Sequence, residues 1–190
     1  MSVKDIDAKF ERDLSSFSAA SADGVVFHLG RPSSKVRSAG VADKEMKLYG
    51  SKVLKKLKKH GFGIDELHGL TKAVRNPIAV FNNYGKSGHY SILTSLKTRD
   101  GNFLVTLSSG KSEDANFNIV SSLFGKRHDS VVYWINHGYL RYVDKNKALD
   151  YLHLAAPIAA ASDRKELSSA AKIVKSFRNN KLYGKSLVNG

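Results

Sequence analysis

Phosphate chemistry needs hydroxyls, cations and a proton acceptor, and one run supplies the hydroxyl and cation parts. The segment FNIVSSLFGKRHDSVVYWI, residues 117–135, holds Ser121 and Ser122, then Gly125, then Lys126, Arg127 and His128, ahead of the only tryptophan, Trp134. Metal-free cleavage of RNA makes the 2′-hydroxyl a nucleophile on the adjacent phosphorus. It requires a proton acceptor, a proton donor for the 5′-oxygen, and cations around the charge gathering on phosphate; no metal or cofactor is required. If the run is a strand, Ser121 and Ser122 point to opposite faces, so one is buried while the other reaches a groove. Gly125 lets backbone approach a phosphate, and Lys126, Arg127 and His128 meet the same anion, Arg with bidentate donors and Lys as a point charge. The same pattern also suits a simple turn after a strand.

Other residues extend this set. Thr94, in SILTSLK, offers a second hydroxyl on the same sheet face, although threonine is also common in strands for its β-propensity. His28, in VFHLG, is the candidate general base, since an imidazole holds both protonation states near neutrality. His89 and Tyr90 follow a glycine turn and are placed to stack on a base, and Arg75 precedes Asn76-Pro77 at a helix end suited to phosphate. The expected catalytic set is therefore His28, Thr94, Ser122 and Lys126. The expected nucleic-acid contacts are Lys52, Lys55, Lys56, Lys59, Arg75, His89, Arg127 and His128.

Elements must position these groups. DIDAKFERDLSSF spaces Ile6, Phe10, Leu14 and Phe17 as the stripe of an amphipathic helix, and SAASADG reads as a linker. VVFHLG and MKLY are short strands around RPSSKVRSAG, a short helix with Ser33 as cap and Gly40 as stop. GSKVLKKLKKHG puts Val53, Leu54 and Leu57 on one side of a basic helix that ends at Gly61, and IDELHGLTKAV continues helically until Asn76-Pro77. From Pro77 the period becomes strand-like: PIAVFNN, the turn YGKSG, HYSILTSLKT, the tight turn RDG and NFLVTLSSG form an antiparallel meander over 77–109. After KSEDA come a further strand NFNIVSSLFG, a short helix closed by Gly138, the strand LRYVD, a helix broken at Pro157 and a last basic helix. The expected fold is α+β: an antiparallel sheet of about four to five strands flanked by N- and C-terminal helices. Residues 1–24 are the helix and linker, 25–180 the domain and 181–190 a tail.

The charge balance points to a polyanion. Thirty-one Lys and Arg against seventeen Asp and Glu give +14 over 190 residues, enough to set the field of the whole molecule. Nucleic acid fits best, because each neutralised phosphate releases counterion, and the 2′-hydroxyl chemistry above favours RNA over DNA; anionic lipid fits less well, since the basic stretches lack an apolar insertion face. A solubilising surface without a partner is the plain alternative. Five ammonium groups within two turns of the lysine helix repel one another and are best tolerated beside phosphate. No cysteine is present, which removes disulfides and thiolate chemistry and suits a reducing compartment. The first residues lack an apolar leader core and no window reaches the length of a membrane span, so a cytoplasmic protein without membrane contact is expected. HExxH, a Walker loop, G-x-S-x-G and an ExE-like turn are absent, and the acid-x-Lys fragments DKEMK (43–47) and DRK (163–165) are chance matches in so lysine-rich a chain.

PIAVF, SILTSLK, GNFLVTLS, NFNIVSSLFGK and YVDKNKALDYL, preceded by FHLGRPSSKVRSAG, together resemble the MuF C-terminal type of domain at the ends of large polyvalent proteins of phages and conjugative elements, over about residues 25–180. Such domains are similar to the phage-associated barnase-EndoU-colicin-RelE-like group of metal-independent RNases. The resemblance implies a module of a longer protein delivered with mobile DNA, an RNase or toxin-like effector, and a cognate inhibitor protein as partner. Two other expectations stand beside it: a non-catalytic nucleic-acid-binding or structural module of a phage or mobile-element protein, and an effector that binds an acidic host protein.

Overall fold

The computed structural model describes residues 2–82, 88–109, 116–155, 157 and 163–179. Most of the YGKSG turn, the KSEDA segment, residues 158–162 and the 181–190 tail lie outside the described residues.

Helix α1 (Val3–Ser15) starts at Ser2, whose hydroxyl accepts from the Asp5 N–H while the Asp5 carboxylate accepts from the Ser2 N–H. Its stripe is as expected: Phe10 and Leu14 are buried, and Phe10 and Phe17 both pack on Phe27. The linker expected at residues 18–24 is instead ordered, with a 3₁₀ turn over Ala19–Gly24 that buries Ala22. Strand β1 (Val26–Gly30), short helix α2 (Ser34–Arg37) capped by Ser33, and strand β2 (Glu45–Tyr49) follow. Helix α3 (Gly50–His60) ends on Gly61, which takes φ +63°. The helix expected to run through IDELHGLTKAV divides into a 3₁₀ turn at Ile64–Leu67 and α4 (Leu70–Arg75). Gly69, at φ +77°, breaks it, and α4 ends before Asn76-Pro77 as the proline requires.

The expected α+β class holds, but the sheet has seven strands and is mixed. With β3 (Ala79–Asn82), β4 (His89–Thr98), β5 (Gly101–Ser109), β6 (Phe117–Lys126) and β7 (Leu140–Val143), the order is β1-β2-β6-β5-β4-β3-β7. The 77–109 meander is the antiparallel centre. The departure is at β2, which pairs parallel to β6 through Glu45↔Phe117, Met46↔Asn118 and Lys47↔Ile119. A seam between residues about seventy apart leaves no local periodicity to read, so the expected count of four to five strands falls short of seven and the expected antiparallel sheet omits the parallel pairing of β2 with β6. Asn118 fixes the seam: its amide donates to the carbonyls of Ala42 and Lys44, each at 2.8 Å, just before β2 begins.

Helices cover both faces. One core joins α1, α3 and α4 to Phe27, Leu48, Phe103 and Val105; the other joins α5 (His128–Asn136), α6 (Lys145–Ala155) and α7 (Asp163–Ser176) to Phe81, Leu93 and Leu104. Gly138 (φ +78°) follows α5, and α6 stops before Pro157, both as the sequence indicates. Beyond the short β2 seam, α3 packs beside β6. At the far edge, the Val143 N–H donates to Asn179 Oδ1 and Asn179 Nδ2 donates to the Val143 carbonyl, both at 2.8 Å. Among the described residues no helix is long and apolar enough to cross a membrane.

Candidate nucleic-acid interface

The end of β6, the β4–β5 turn and the start of α5 meet at one end of the sheet. Thr98 pairs with Gly101, leaving a two-residue loop of Arg99 and Asp100, and Gly101 takes φ +126°. The Thr98 hydroxyl donates to the Gly101 carbonyl (3.1 Å) and accepts from the Asp100 N–H (3.2 Å). Across from it, a Cβ on Gly125 would strike that hydroxyl and come 3.1 Å from Asp100 Cβ. Gly125 thus makes room for the turn, and it also lines the smaller of the two hollows at this junction. Arg99 and Arg127 extend from this junction with side chains 73% and 80% exposed.

Two hollows open here. The smaller, about 440 Å³, is lined by Arg99, Asp100, Phe124, Gly125, Lys126, Arg127 and Ser130. Its cations outnumber its one carboxylate. The end of the lysine helix reaches the same place: the His60 ring meets Phe124 at 5.6 Å, and a Cβ on Gly61 would lie 2.9 Å from Arg99 Nη2. Burial, then the charges of Lys56 and Lys59, holds the His60 imidazole below its ordinary pKa. Lys56 is likewise pulled down, by burial first and then by Lys59, Lys52 and Lys55. Lys126 lies 4.9 Å from the Trp134 ring centroid and 5.8 Å from that of Phe124. A basic band therefore runs from Lys56 and Lys59 through Arg99 to Lys126 and Arg127.

The larger hollow, about 670 Å³, shares Arg99, Asp100 and Arg127 and continues between α5 and the start of α7. His128 lines it and packs on the buried Tyr151 ring, with centroids 4.3 Å apart. The His128 Nδ1 is buried without a hydrogen-bond partner, and burial followed by the charge of Lys97 lowers its pKa against an opposing pull from Asp129. His137 stacks on Tyr133 at 3.7 Å, and its Nδ1 lies 2.8 Å from the Tyr133 carbonyl oxygen. Since a carbonyl only accepts, Nδ1 carries the proton and Nε2 is the acceptor of the neutral ring.

The expected residues divide sharply. Lys52, Lys55, Lys56 and Lys59 lie on α3, and Lys126, Arg127 and His128 meet at the hollows. Ser122 is on β6 opposite Thr106, in a lateral row with Ser91, whose hydroxyl is 3.4 Å from that of Thr106. It lines neither hollow, and four residues at ~3.3 Å each set it about 13 Å along the strand from Lys126. A bulge at Ser121, whose hydroxyl donates to the Thr106 carbonyl, replaces the clean alternation expected of the two serines. Thr94 is fully buried with its hydroxyl donated to the Phe103 carbonyl at 2.8 Å, so it offers no hydroxyl to a ligand. His28 stands on the opposite edge strand, its Nδ1 2.8 Å from Glu45 Oε1; its row ends at Ile119, roughly 20 Å along β6 from Lys126. Arg75 is withdrawn from the surface: it is ion-paired with Asp7 and donates to the Leu29 carbonyl at 3.2 Å. His89 begins β4, roughly 30 Å from the Arg99 turn at its other end. Arg99, His60, Lys97, Tyr133 and His137 were not foreseen. RDG was legible as a turn, but nothing local says that its arginine faces α3 and β6.

Residues 51–150, just over half of the chain, match the family model of the phage MuF C-terminal domain. The chain belongs to that family. In this MuF C-terminal domain the matched span runs from the lysine helix to the middle of α6, and so contains Lys52–His60, the Arg99 turn, Lys126–His128, Tyr133 and His137. Phage association follows from the family. No curated protein and no solved structure matches the chain.

Proposed function

We propose that this MuF C-terminal domain acts on nucleic acid, with a phosphodiester chain seated along the band from Lys56 and Lys59 through Arg99 to Lys126 and Arg127, and that it cleaves RNA without a metal. The observation that supports this is the convergence of three basic segments: the β4–β5 turn and the β6–α5 junction line the smaller hollow, and the end of α3 packs beside it through His60 and Gly61. Repulsion within α3 is relieved by an anion, which favours a phosphate chain over a neutral partner.

For cleavage, His128 takes the place that the sequence suggested for His28. Its lowered pKa leaves the imidazole neutral at pH 7 and able to accept the 2′-hydroxyl proton. The 2′-oxygen then attacks phosphorus, the bond from phosphorus to the 5′-oxygen breaks, and that oxygen takes a proton from Lys126 in the adjoining smaller hollow. Arg99 and Arg127 stabilise the charge on the phosphoryl oxygens. The products are a 2′,3′-cyclic phosphate and a 5′-hydroxyl.

Total RNA incubated in EDTA with the wild type, His128→Gln, Lys126→Ala and His28→Ala tests this. Cleavage in the wild type and His28→Ala, lost at least a hundredfold in His128→Gln, is expected. Intact RNA in every lane with salt-sensitive binding retained leaves the second reading, binding without cleavage, which the separation of His28, Thr94 and Ser122 from the hollow favours.

A further inference from the structure

The larger hollow has a composition that does not suit phosphate. Four carboxylates, Asp100, Asp129, Asp163 and Glu166, line it against two arginines, and both of its histidines lie beside apolar or aromatic surface. An anion is repelled from its interior and held at its mouth, where Arg99 and Arg127 are shared with the basic hollow. Its other walls are apolar: Val132, Ala155 and Leu167 are buried on its floor. Tyr133, although 51% exposed, is held flat against His137 with the ring planes 23° apart. At about 670 Å³ the space is of small-molecule size.

We infer that this cavity is a nucleobase pocket, stacking one unpaired base of the bound strand on Tyr133 and preferring guanine. The inference rests on the strand-binding reading above and deepens it. An exposed aromatic ring fixed by a second ring is the platform on which single-stranded bases stack. The polar lining then selects. Guanine alone presents two adjacent donors, N1–H and the N2 amino group, on one edge and two adjacent acceptors, O6 and N7, on another. Carboxylates match the first edge and arginines the second. Cytosine, adenine and uracil each set an acceptor beside the donor on their pairing edge, which a carboxylate repels. Glu166 is the pre-set carboxylate: Asn136 Nδ2 donates to its Oε2 at 2.7 Å and to its backbone carbonyl at 3.0 Å, which fixes the side chain and leaves Oε1 to accept.

Two measurements on the full chain test this. The first titrates the four nucleoside 5′-monophosphates by NMR, following the Tyr133 and His137 ring signals. The second measures anisotropy of labelled oligouridylate hexamers carrying one central G, A or C. Guanosine monophosphate is expected to bind about tenfold more tightly than the other three and to shift both rings; the G hexamer is expected to bind best by a similar factor. Glu166→Gln should bring the monophosphates within about threefold of one another. Tyr133→Ala should weaken the G hexamer about tenfold without changing its salt dependence, with Tyr133→Phe restoring it. Both side chains are at the surface, and circular dichroism confirms folding of each variant. Equal binding of all four monophosphates, or a guanine preference that survives both Glu166→Gln and Tyr133→Ala, overturns the pocket. If every hexamer binds with salt dependence but none is preferred, the pocket fails and the basic band stands. If guanosine monophosphate binds selectively while no hexamer binds, the strand reading fails and the pocket stands as a mononucleotide site.

Discussion

Arg75 shows how far one side chain's role depends on what packs against it. Beside Asn76-Pro77 in the sequence it reads as a surface cation; in the structure it and Asp7 are only 12% and 13% exposed, and it ties α1 to α4 and β1. Burial pushes the Asp7 carboxyl up, but the hydrogen bond and charge of Arg75 outweigh this and hold it below its ordinary value. Arg75→Ala strands a carboxylate in a half-dry site and should destabilise the domain by about 3 kcal/mol, read as a lowered urea midpoint, while the affinity of folded protein for RNA is unchanged. His128 gives a second check with a definite sign. Its folded pKa lies below the unfolded value of 6.5, so the unfolded chain takes up a proton that the folded one refuses. Stability is full above that pH and falls as pH drops below it; His60 contributes in the same sense. His128→Phe keeps a ring against Tyr151 and should flatten the decline in urea midpoint between pH 7 and pH 5.

At the scale of elements, what was legible was what is local. The α1 stripe, the Ser33 cap, the stops at Gly61 and Gly138 and the RDG turn each follow from residues within one turn of one another, and each holds. Three things were not legible, because their causes lie elsewhere in the chain. The parallel seam depends on Asn118 reaching residues 42 and 44; the bulge at Ser121 depends on register against β5; the break at Gly69 depends on a φ that only the packed chain imposes. The site shows the same division: Lys126–His128 and the lysine helix stand out by composition, whereas Arg99 and His60 join them only through the way α3, β5 and β6 converge. Gly125 tests that convergence. Gly125→Ala places a methyl where the Thr98 hydroxyl sits, and the turn carrying Arg99 must shift. A loss of about 1–3 kcal/mol in stability is expected, with RNA affinity in the remaining folded protein reduced severalfold; Thr98→Gly in the same chain should recover much of the stability by vacating the space.

For the molecule as a whole, the +14 charge decides how binding should respond to salt. A strand lying on Lys56, Lys59, Arg99, Lys126 and Arg127 neutralises about five phosphates, which for single-stranded nucleic acid gives a slope of log K against log salt of about −3.5. Replacing Lys126 and Arg127 together should bring it to about −2, whereas replacing Lys4 and Lys9 on α1, away from the band, should leave it unaltered. Anisotropy titrations between 50 and 300 mM salt measure both. A slope that falls equally for either pair would mean that the field of the whole surface, and not the band, holds the strand.

The contact between Asn179 and Val143 bears on how the protein lives beside other copies of itself. By giving Val143 both a donor and an acceptor, the carboxamide imitates one residue of a neighbouring strand and occupies the bonding positions at the outermost rung of β7. A chain shortened before Asn179 would expose that rung as a template, and edge-to-edge association of the shortened domain is the hazard against which this one amide guards.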